Sequence, residues 1–228
     1  LLLKDHKLFK EIMNQSIDKV AVLGAGVMGA QIAGHFANAG IPGLLYDISQ
    51  ELAQKGVDGL TKMKPAPLYK PKNADLVEPC NYDEHLKKLN EVDLVIEAVA
   101  ERLDIKHAVY NNIVPHLKES VIMTSNTSGI PLSDLISVLP AHLKKRFMIT
   151  HFFNPPRYMR LLELIKGPDT DEAVYEMIAE FGEDVLGKGI VHAKDTPNFI
   201  GNRIGVLGMS VTMNTAMKNG LTVEEVDK

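Results

Sequence analysis

The sequence predicts an α/β protein: a doubly wound, mostly parallel sheet followed by the beginning of an all-helical second domain. Three observations predict it. From Lys19 onward, short apolar runs alternate with longer segments of helical periodicity. Two of those runs, residues 20–23 and 44–47, flank a glycine-rich turn that opens a helix. After Asp195-Thr196-Pro197 the alternation stops, and a segment rich in Met, Val, Leu and Gly takes over.

The elements follow in order. Leu2, Leu3, Leu8, Phe9, Ile12 and Met13 stand at roughly helical spacing among charged residues, which predicts an amphipathic lead-in helix over 2–15. Three leucines make too short an apolar region for a signal peptide. A strand over 20–23, a helix over 28–39 and a strand over 44–47 make one βαβ unit. A helix over 50–62 comes next, and Pro65, Pro67 and Pro71 then enforce a loop. A short strand at 76–77 and a short helix over 82–89 follow. Strands over 93–98, 121–124 and 147–151 alternate with helices over 104–117 and 131–139. Asn154-Pro155-Pro156 must turn, because two prolines cannot stay in a ladder. Strands over 159–165 and 189–192, with a helix over 171–186 between them, complete the sheet. The helix over 200–218 is apolar nearly all round, so something must bury it, and Thr222 with Glu225 forms a capping box that opens another helix.

Composition excludes several classes. The 228 residues are 45% hydrophobic and 24% charged, enough for a full core and unlike a disordered chain or a coiled coil. Net charge is −4 with the positive residues scattered, which argues against nucleic acid as a partner. A lone Cys80 cannot form an internal disulfide and fits a reducing compartment, the cytoplasm first, with the mitochondrial matrix as the alternative. No apolar run approaches the ~18–20 residues that a membrane-spanning helix needs, so no membrane insertion is expected.

Gly24, Gly26 and Gly29 fit G-x-G-x-x-G between a strand and a helix, and the next strand ends in Asp47, 23 residues after Gly24. This context marks a dinucleotide-binding Rossmann unit. Gly24 permits the tight turn, Gly26 admits a pyrophosphate, and Gly29 lets helix approach strand, with Val27 and Met28 supplying amides at the helix N-terminus. Asp47 would accept both ribose hydroxyls and repel a 2′-phosphate, and no arginine follows it, so the expected cofactor is NAD rather than NADP. The corresponding domains are a lead-in helix over 1–16, a Rossmann domain over 17–196 and the start of a helical domain over 197–228.

His151 ends a strand on the carboxyl edge of the sheet, where open α/β sheets place ligands. Glu163 stands in an apolar strand and needs a partner; if the chain folds back at Asn154–Pro156 as a hairpin, His151 is nearest. Such a pair is either a general base for alcohol oxidation or a structural hydrogen bond. Ser125-Asn126-Thr127-Ser128 follows a strand at the same edge, and either binds ligand or caps the helix near Pro131. His35, His107, His116 and His142 lie in or beside helices, His6 and His85 read as solvated, and His192 lacks an acid at hairpin spacing. No histidine has metal-ligand spacing with a second ligand, so no metal is expected.

Taken together, five stretches resemble the 3-hydroxyacyl-CoA dehydrogenase family: residues 20–29, Asp93-Leu94-Val95-Ile96-Glu97-Ala98-Val99, Ser125-Asn126-Thr127-Ser128, His151-Phe152-Phe153-Asn154-Pro155, and residues 194–203 with Asp195-Thr196-Pro197-Asn198-Phe199-Ile200-Gly201-Asn202-Arg203. They occur in the family's order across residues 19–203. The resemblance implies NAD-dependent oxidation of an L-3-hydroxyacyl-CoA to the 3-ketoacyl-CoA in fatty-acid β-oxidation. It assigns His151 as base, Glu163 as its orienting carboxylate, Ser128 to the substrate oxygen and Asn202 to substrate positioning. It places Ala98, Glu101, Lys106 and Asn154 at the NAD ribose or nicotinamide; the alternatives are that Glu101 and Lys106 are surface residues of the following helix and that Asn202 merely starts one. It implies an acyl-CoA partner and a homodimer formed through the helical domain. The family's basic helical hairpin for the CoA phosphates is replaced here by proline-rich residues 62–72, where register assigns no CoA contact. That form is similar to members fused to an enoyl-CoA hydratase module. The rivals are a dehydrogenase of a free 3-hydroxy acid or sugar acid, and a non-catalytic NAD-binding structural or regulatory protein.

Overall fold

A computed structural model describes residues 12, 13 and 15–227; the lead-in helix expected over 2–15 lies almost wholly outside them. The chain folds as one eight-stranded sheet with helices on both faces. Its strands are β1 (Val20–Leu23), β2 (Gly43–Asp47), β3 (Val77–Asn81), β4 (Leu94–Glu97), β5 (Ile122–Ser125), β6 (Phe147–Phe152), β7 (Leu161–Lys166) and β8 (Gly189–His192). Their spatial order is β3-β2-β1-β4-β5-β6-β7-β8. The first six run parallel, β7 is antiparallel to β6, and β8 is parallel to β7.

The strand alternation splits the core in two. Val20 and Val22 of β1 join Phe36, Leu45, Ile96 and Leu164 on one face. Ala21 and Leu23 join Tyr46, Val95, Met123 and Ile149 on the other. Both faces of β1 are therefore covered, which is why it reads as an unbroken apolar run.

Three helices cover most of the sheet: α1 (Val27–Asn38), α2 (Gln50–Gly59) and α3 (Leu103–Ile113). Ser49 caps α2 by accepting from the Leu52 amide at 3.2 Å. Short α4 (Leu132–Leu135) and α5 (Ala141–Lys144) follow β5, and α6 (Glu172–Asp184), capped by Asp171, lies between β7 and β8. Chain order reverses at β1, with β2 on one side and β4 on the other. The crevice at the carboxyl ends of those strands is the ligand position of such sheets.

Several boundaries differ from expectation. β3 runs to Asn81 and contains Pro79, tolerable because β3 is an edge strand. The helix expected over 82–89 is a 3-10 turn over Leu86–Glu91. The helix expected over 104–117 gives way to a 3-10 turn at Val114, next to Pro115. β7 starts at Leu161 because the Met159 amide is engaged by the Pro155 carbonyl. Finally, α7 (Gly201–Lys218) and α8 (Val223–Val226) form as the periodicity and capping box predict, the Thr222 amide donating to Glu225 at 2.8 Å. The described chain buries no residue of α7, however, and Ile204, Leu207 and Met213 stand more than 60% exposed.

Candidate active site

The glycine turn is shaped by what cannot fit there. Gly24 has φ of +100°, and a Cβ on it would lie 2.7 Å from the Ala98 carbonyl oxygen. A Cβ on Gly29 would lie 1.8 Å from the Gly24 oxygen, so any larger residue would force α1 off β1. Gly26 is different: a Cβ there would meet nothing within 4 Å. It is the N-cap of α1 and has no side-chain cap, so the amides of Val27 and Met28 open onto free space with the helix dipole behind them. An anion is the expected occupant of such a cradle.

Asp47 closes one side. One carboxylate oxygen accepts the Ala25 amide at 2.7 Å and the other accepts the Ile48 amide at 2.7 Å. This fixes the carboxylate beside a cavity of about 780 Å³ lined by Ala25, Gly26, Asp47, Lys55 and Met63. Gly56 brings α2 against the turn, since a Cβ there would touch Ala25 at 2.9 Å.

On the same edge, β6 and β7 place His151 directly opposite Glu163. His151 Nδ1 lies 2.8 Å from Glu163 Oε2, and both side chains are at most 5% exposed. The other Glu163 oxygen accepts the Ile200 and Gly201 amides at 3.0 and 2.7 Å. The carboxylate is therefore fully occupied and holds Nδ1 protonated, which leaves Nε2 as the acceptor. Nε2 lies 3.3 Å from Ser128 Oγ. Phe153 and Phe199 wall the imidazole at ring distances of 4.6 and 5.5 Å. Delivering Phe199 and the two amides requires Asn198 and Phe199 at φ of 62° and 46°. Left-handed backbone at a non-glycine residue costs on the order of 1–3 kcal/mol. Strain stored beside a buried acid–imidazole pair points to a working site.

The Ser-Asn-Thr-Ser loop does not cap a helix. The first amide of α4, that of Leu132, is taken by the Asp195 carboxylate at 3.1–3.2 Å. Instead Asn126 Oδ1 accepts the Phe152 amide at 2.8 Å, tying the loop to β6 beside His151. Glu101 Oε1 accepts from Thr127 Oγ1, the Ser128 amide and the Gly129 amide at 2.6, 2.8 and 3.2 Å. Burial pushes the Glu101 carboxyl up, but the Thr127 hydroxyl, Lys106 and the Ser128 amide outweigh it and hold the group below its ordinary range.

Lys106 is neither a surface residue of α3 nor open to the cleft. It is 1% exposed, with Nζ 2.7 Å from Glu97 Oε1 and 3.1 Å from Glu101 Oε2. Any effect on a cofactor is exerted through Glu101, whose side chain is 45% exposed. Asn154 Oδ1 accepts from Gln31 Nε2 at 3.2 Å, joining the β6–β7 turn to α1. Asn202 sits half-buried in the first turn of α7 and makes no side-chain hydrogen bond to another described residue. Of the remaining histidines, His192 finds Tyr175 at 2.7 Å. His85, expected to be solvated, is half-buried and accepts the Asn81 amide. Among the described residues no cluster of His, Cys, Asp or Glu could hold a metal ion.

Three participants escaped the sequence reading: Glu97, Asp195 and Lys188. Glu97 carries the signal that exposed Glu163, a charge in an apolar strand. Lys188 carries none. It is 4% exposed, donates to the Pro156 carbonyl and to that of Met159 at 3.1 Å, and lies over the Phe152 ring, so it braces the turn that presents Asn154. Burial lowers its ammonium to about 8. Its neighbour His35 is lowered to about 4, first by burial and then by repulsion from Lys188, against a hydrogen bond to the Leu186 carbonyl.

Comparison with known proteins places this geometry. The family model described as "3-hydroxyacyl-CoA dehydrogenase, NAD binding domain" matches residues 19–196. A probable 3-hydroxyacyl-CoA dehydrogenase of Deinococcus radiodurans is 46% identical over 93% of this chain and 63% of its own length. A putative fatty acid oxidation complex trifunctional enzyme of Rickettsia felis is 41% identical over 95% of this chain and 31% of its own. The chain thus spans less than two thirds of the length of these curated relatives. The crystal structure of (S)-3-hydroxybutyryl-CoA dehydrogenase PaaH1 from Ralstonia eutropha superposes with a TM-score of 0.78 at 31% identity, covering 92% of this chain and 75% of that one. The glycine cradle, the expected order of the motifs and the full-length match of the α/β unit agree: the chain belongs to the 3-hydroxyacyl-CoA dehydrogenase family and carries its NAD-binding domain.

Proposed function

We propose that this protein oxidises an L-3-hydroxyacyl-CoA to the 3-ketoacyl-CoA with NAD. The observation that carries the reading is His151 held between Glu163 and Ser128 on the sheet edge that also carries the open Gly26 cradle. The cradle fits a pyrophosphate on the turn formed by Gly24, Gly26, Val27, Met28 and Gly29. Asp47 fits the adenosine ribose, and Ala98, Glu101 and Asn154 stand toward the nicotinamide end, with Lys106 acting behind Glu101. Bound there, NAD supplies the hydride acceptor.

The protein's own part is proton transfer and orientation. His151 Nε2 accepts the proton of the 3-hydroxyl while Nδ1–H stays donated to Glu163, so the imidazolium that forms is stabilised without a second proton shift. Ser128 Oγ hydrogen-bonds the same substrate oxygen and sets its distance from Nε2. Asn202 orients the substrate from the start of α7. Phe153 and Phe199 keep water from the imidazole. The acyl-CoA partner, a homodimer through helices beyond α7 and fusion to an enoyl-CoA hydratase module belong to the same proposal. The trifunctional name of a relative supports the last.

His151→Gln tests the assignment. Turnover of acetoacetyl-CoA with NADH should fall about 10²–10⁴-fold while NADH binding stays nearly intact. Unchanged turnover would sink it. Acetoacetate should fail as substrate where acetoacetyl-CoA succeeds, and equal use of both would point to a free hydroxy acid.

A further inference from the structure

We propose that the buried Glu97–Lys106 ion pair, acting through Ser125 and Glu101, is the positioning element for Ser128. The proposal rests on the role given to Ser128 above. Glu97 is 0% exposed and every direction around it is taken. Oε1 accepts from Lys106 Nζ at 2.7 Å and the Val99 amide at 2.8 Å; Oε2 accepts from Tyr110 Oη at 2.9 Å and Ser125 Oγ at 2.6 Å. Ser125 Oγ in turn accepts the Thr127 amide at 3.2 Å. Glu97 thus grips the start of the Ser-Asn-Thr-Ser loop.

Glu101 grips its end through Thr127, Ser128 and Gly129. Lys106 joins the two grips, since its one ammonium contacts both carboxylates. Two like charges this close to one loop would repel without it, and a buried carboxylate without its cation is strongly disfavoured. What the pair secures is a short distance: Ser128 Oγ lies 3.3 Å from His151 Nε2, so that one substrate oxygen beside them can reach both. A misplacement of about 1 Å at such a gap can cost on the order of 100-fold in rate. Lys106, enclosed by the two acids, is a positioning residue for chemistry it does not touch.

The test uses Lys106→Met in the full chain with three readouts. Backbone amide exchange at Ser128 and Gly129 should quicken by about tenfold or more, because their acceptor is released. With acetoacetyl-CoA and NADH, kcat should fall by about 10–100-fold, well beyond whatever affinity for NADH is lost through Glu101. In a Ser128→Ala background Lys106→Met should cost almost nothing further, the mark of one acting through the other. Lys106→Arg should restore part of kcat. Unchanged amide exchange overturns the proposal, as do losses that multiply in the double variant. A fall in NADH affinity matching the fall in kcat also overturns it, by tracing the whole effect of Lys106 to the cofactor rather than to Ser128. If Lys106→Met does not fold, Ser125→Ala cuts the Glu97 arm with every charge in place: exchange at the Thr127 amide should quicken and kcat should fall, and no change in either overturns the proposal. Absence of turnover with acetoacetyl-CoA in the unaltered protein would sink the proposed activity, and the exchange measurement would still decide the role of Lys106.

Discussion

Two buried lysines sit within reach of the same site under opposite electrostatic conditions. Lys106 lies between two carboxylates, while Lys188 meets backbone carbonyls, an aromatic face and a histidine that it repels. The first is a compensated charge inside a closed network, and removing it leaves the buried Glu97 carboxylate stranded. The second is an uncompensated charge, which the protein can relieve by releasing a proton. Burial alone does not make a lysine rigid or titratable; the formal charge of its partners does.

The largest effect should come from opening the compensated network. Lys106→Met leaves Glu97 buried without a cation and should destabilise the fold by about 3–5 kcal/mol. At this size that corresponds to a fall in Tm on the order of 10 °C in a thermal melt. Adding Glu97→Gln should recover much of the loss, because the buried charges then leave together. A single variant losing less than about 1 kcal/mol would break the comparison, placing Lys106 among ordinary surface pairs.

Next comes His35, the titratable neighbour of the uncompensated lysine. Its folded value near 4 lies below the ordinary 6.5. Between those values the unfolded chain binds a proton that the folded chain refuses, so stability falls as pH drops from 6.5 toward 4. The full loss is about 3 kcal/mol. His35→Gln should flatten that part of the profile in urea titrations at pH 7 and 4.5. Equal acid sensitivity in both proteins would show that carboxylates, not His35, govern the window.

The same contrast explains what the sequence could and could not reveal. The glycine turn, Asp47 and the His151–Glu163 pair were legible because each obeys a local rule: spacing in a βαβ unit, or a charged residue in an apolar strand folded back by prolines. Ser128 was legible as a small hydroxyl at the right strand end, though its alternative as a helix cap falls only because Asp195, 63 residues beyond Leu132, fills that role. The sequence leaves Lys106 between solvent and cofactor because a lysine in the first turn of an amphipathic helix faces either equally well; only the position of Glu97 on another element buries it. Lys188 stands between two glycines in a polar turn, where no periodicity marks an inward side chain. Nor did the apolar character of α7 reveal its surroundings, since a helix's need for cover does not say what provides it.

The smallest effect should come from Lys188 itself. Its folded value near 8 lies below the ordinary 10.5. Above pH 8 the folded protein releases a proton that the unfolded chain keeps until about 10.5, so the unfolded state binds more protons and stability rises with pH across this interval. The gain should be on the order of 1–3 kcal/mol. Lys188→Met should remove the rise, read as the difference between the urea midpoints of the two proteins at pH 7.5 and 10. It should also return His35 partway toward 6.5, because the repulsion from the Lys188 ammonium is gone. The variant leaves the Pro156 and Met159 carbonyls without their donor, so the turn bearing Asn154 should loosen and NADH should bind more weakly at every pH. An alkaline rise that persists in Lys188→Met would assign the proton to another group and leave the two lysines electrostatically alike.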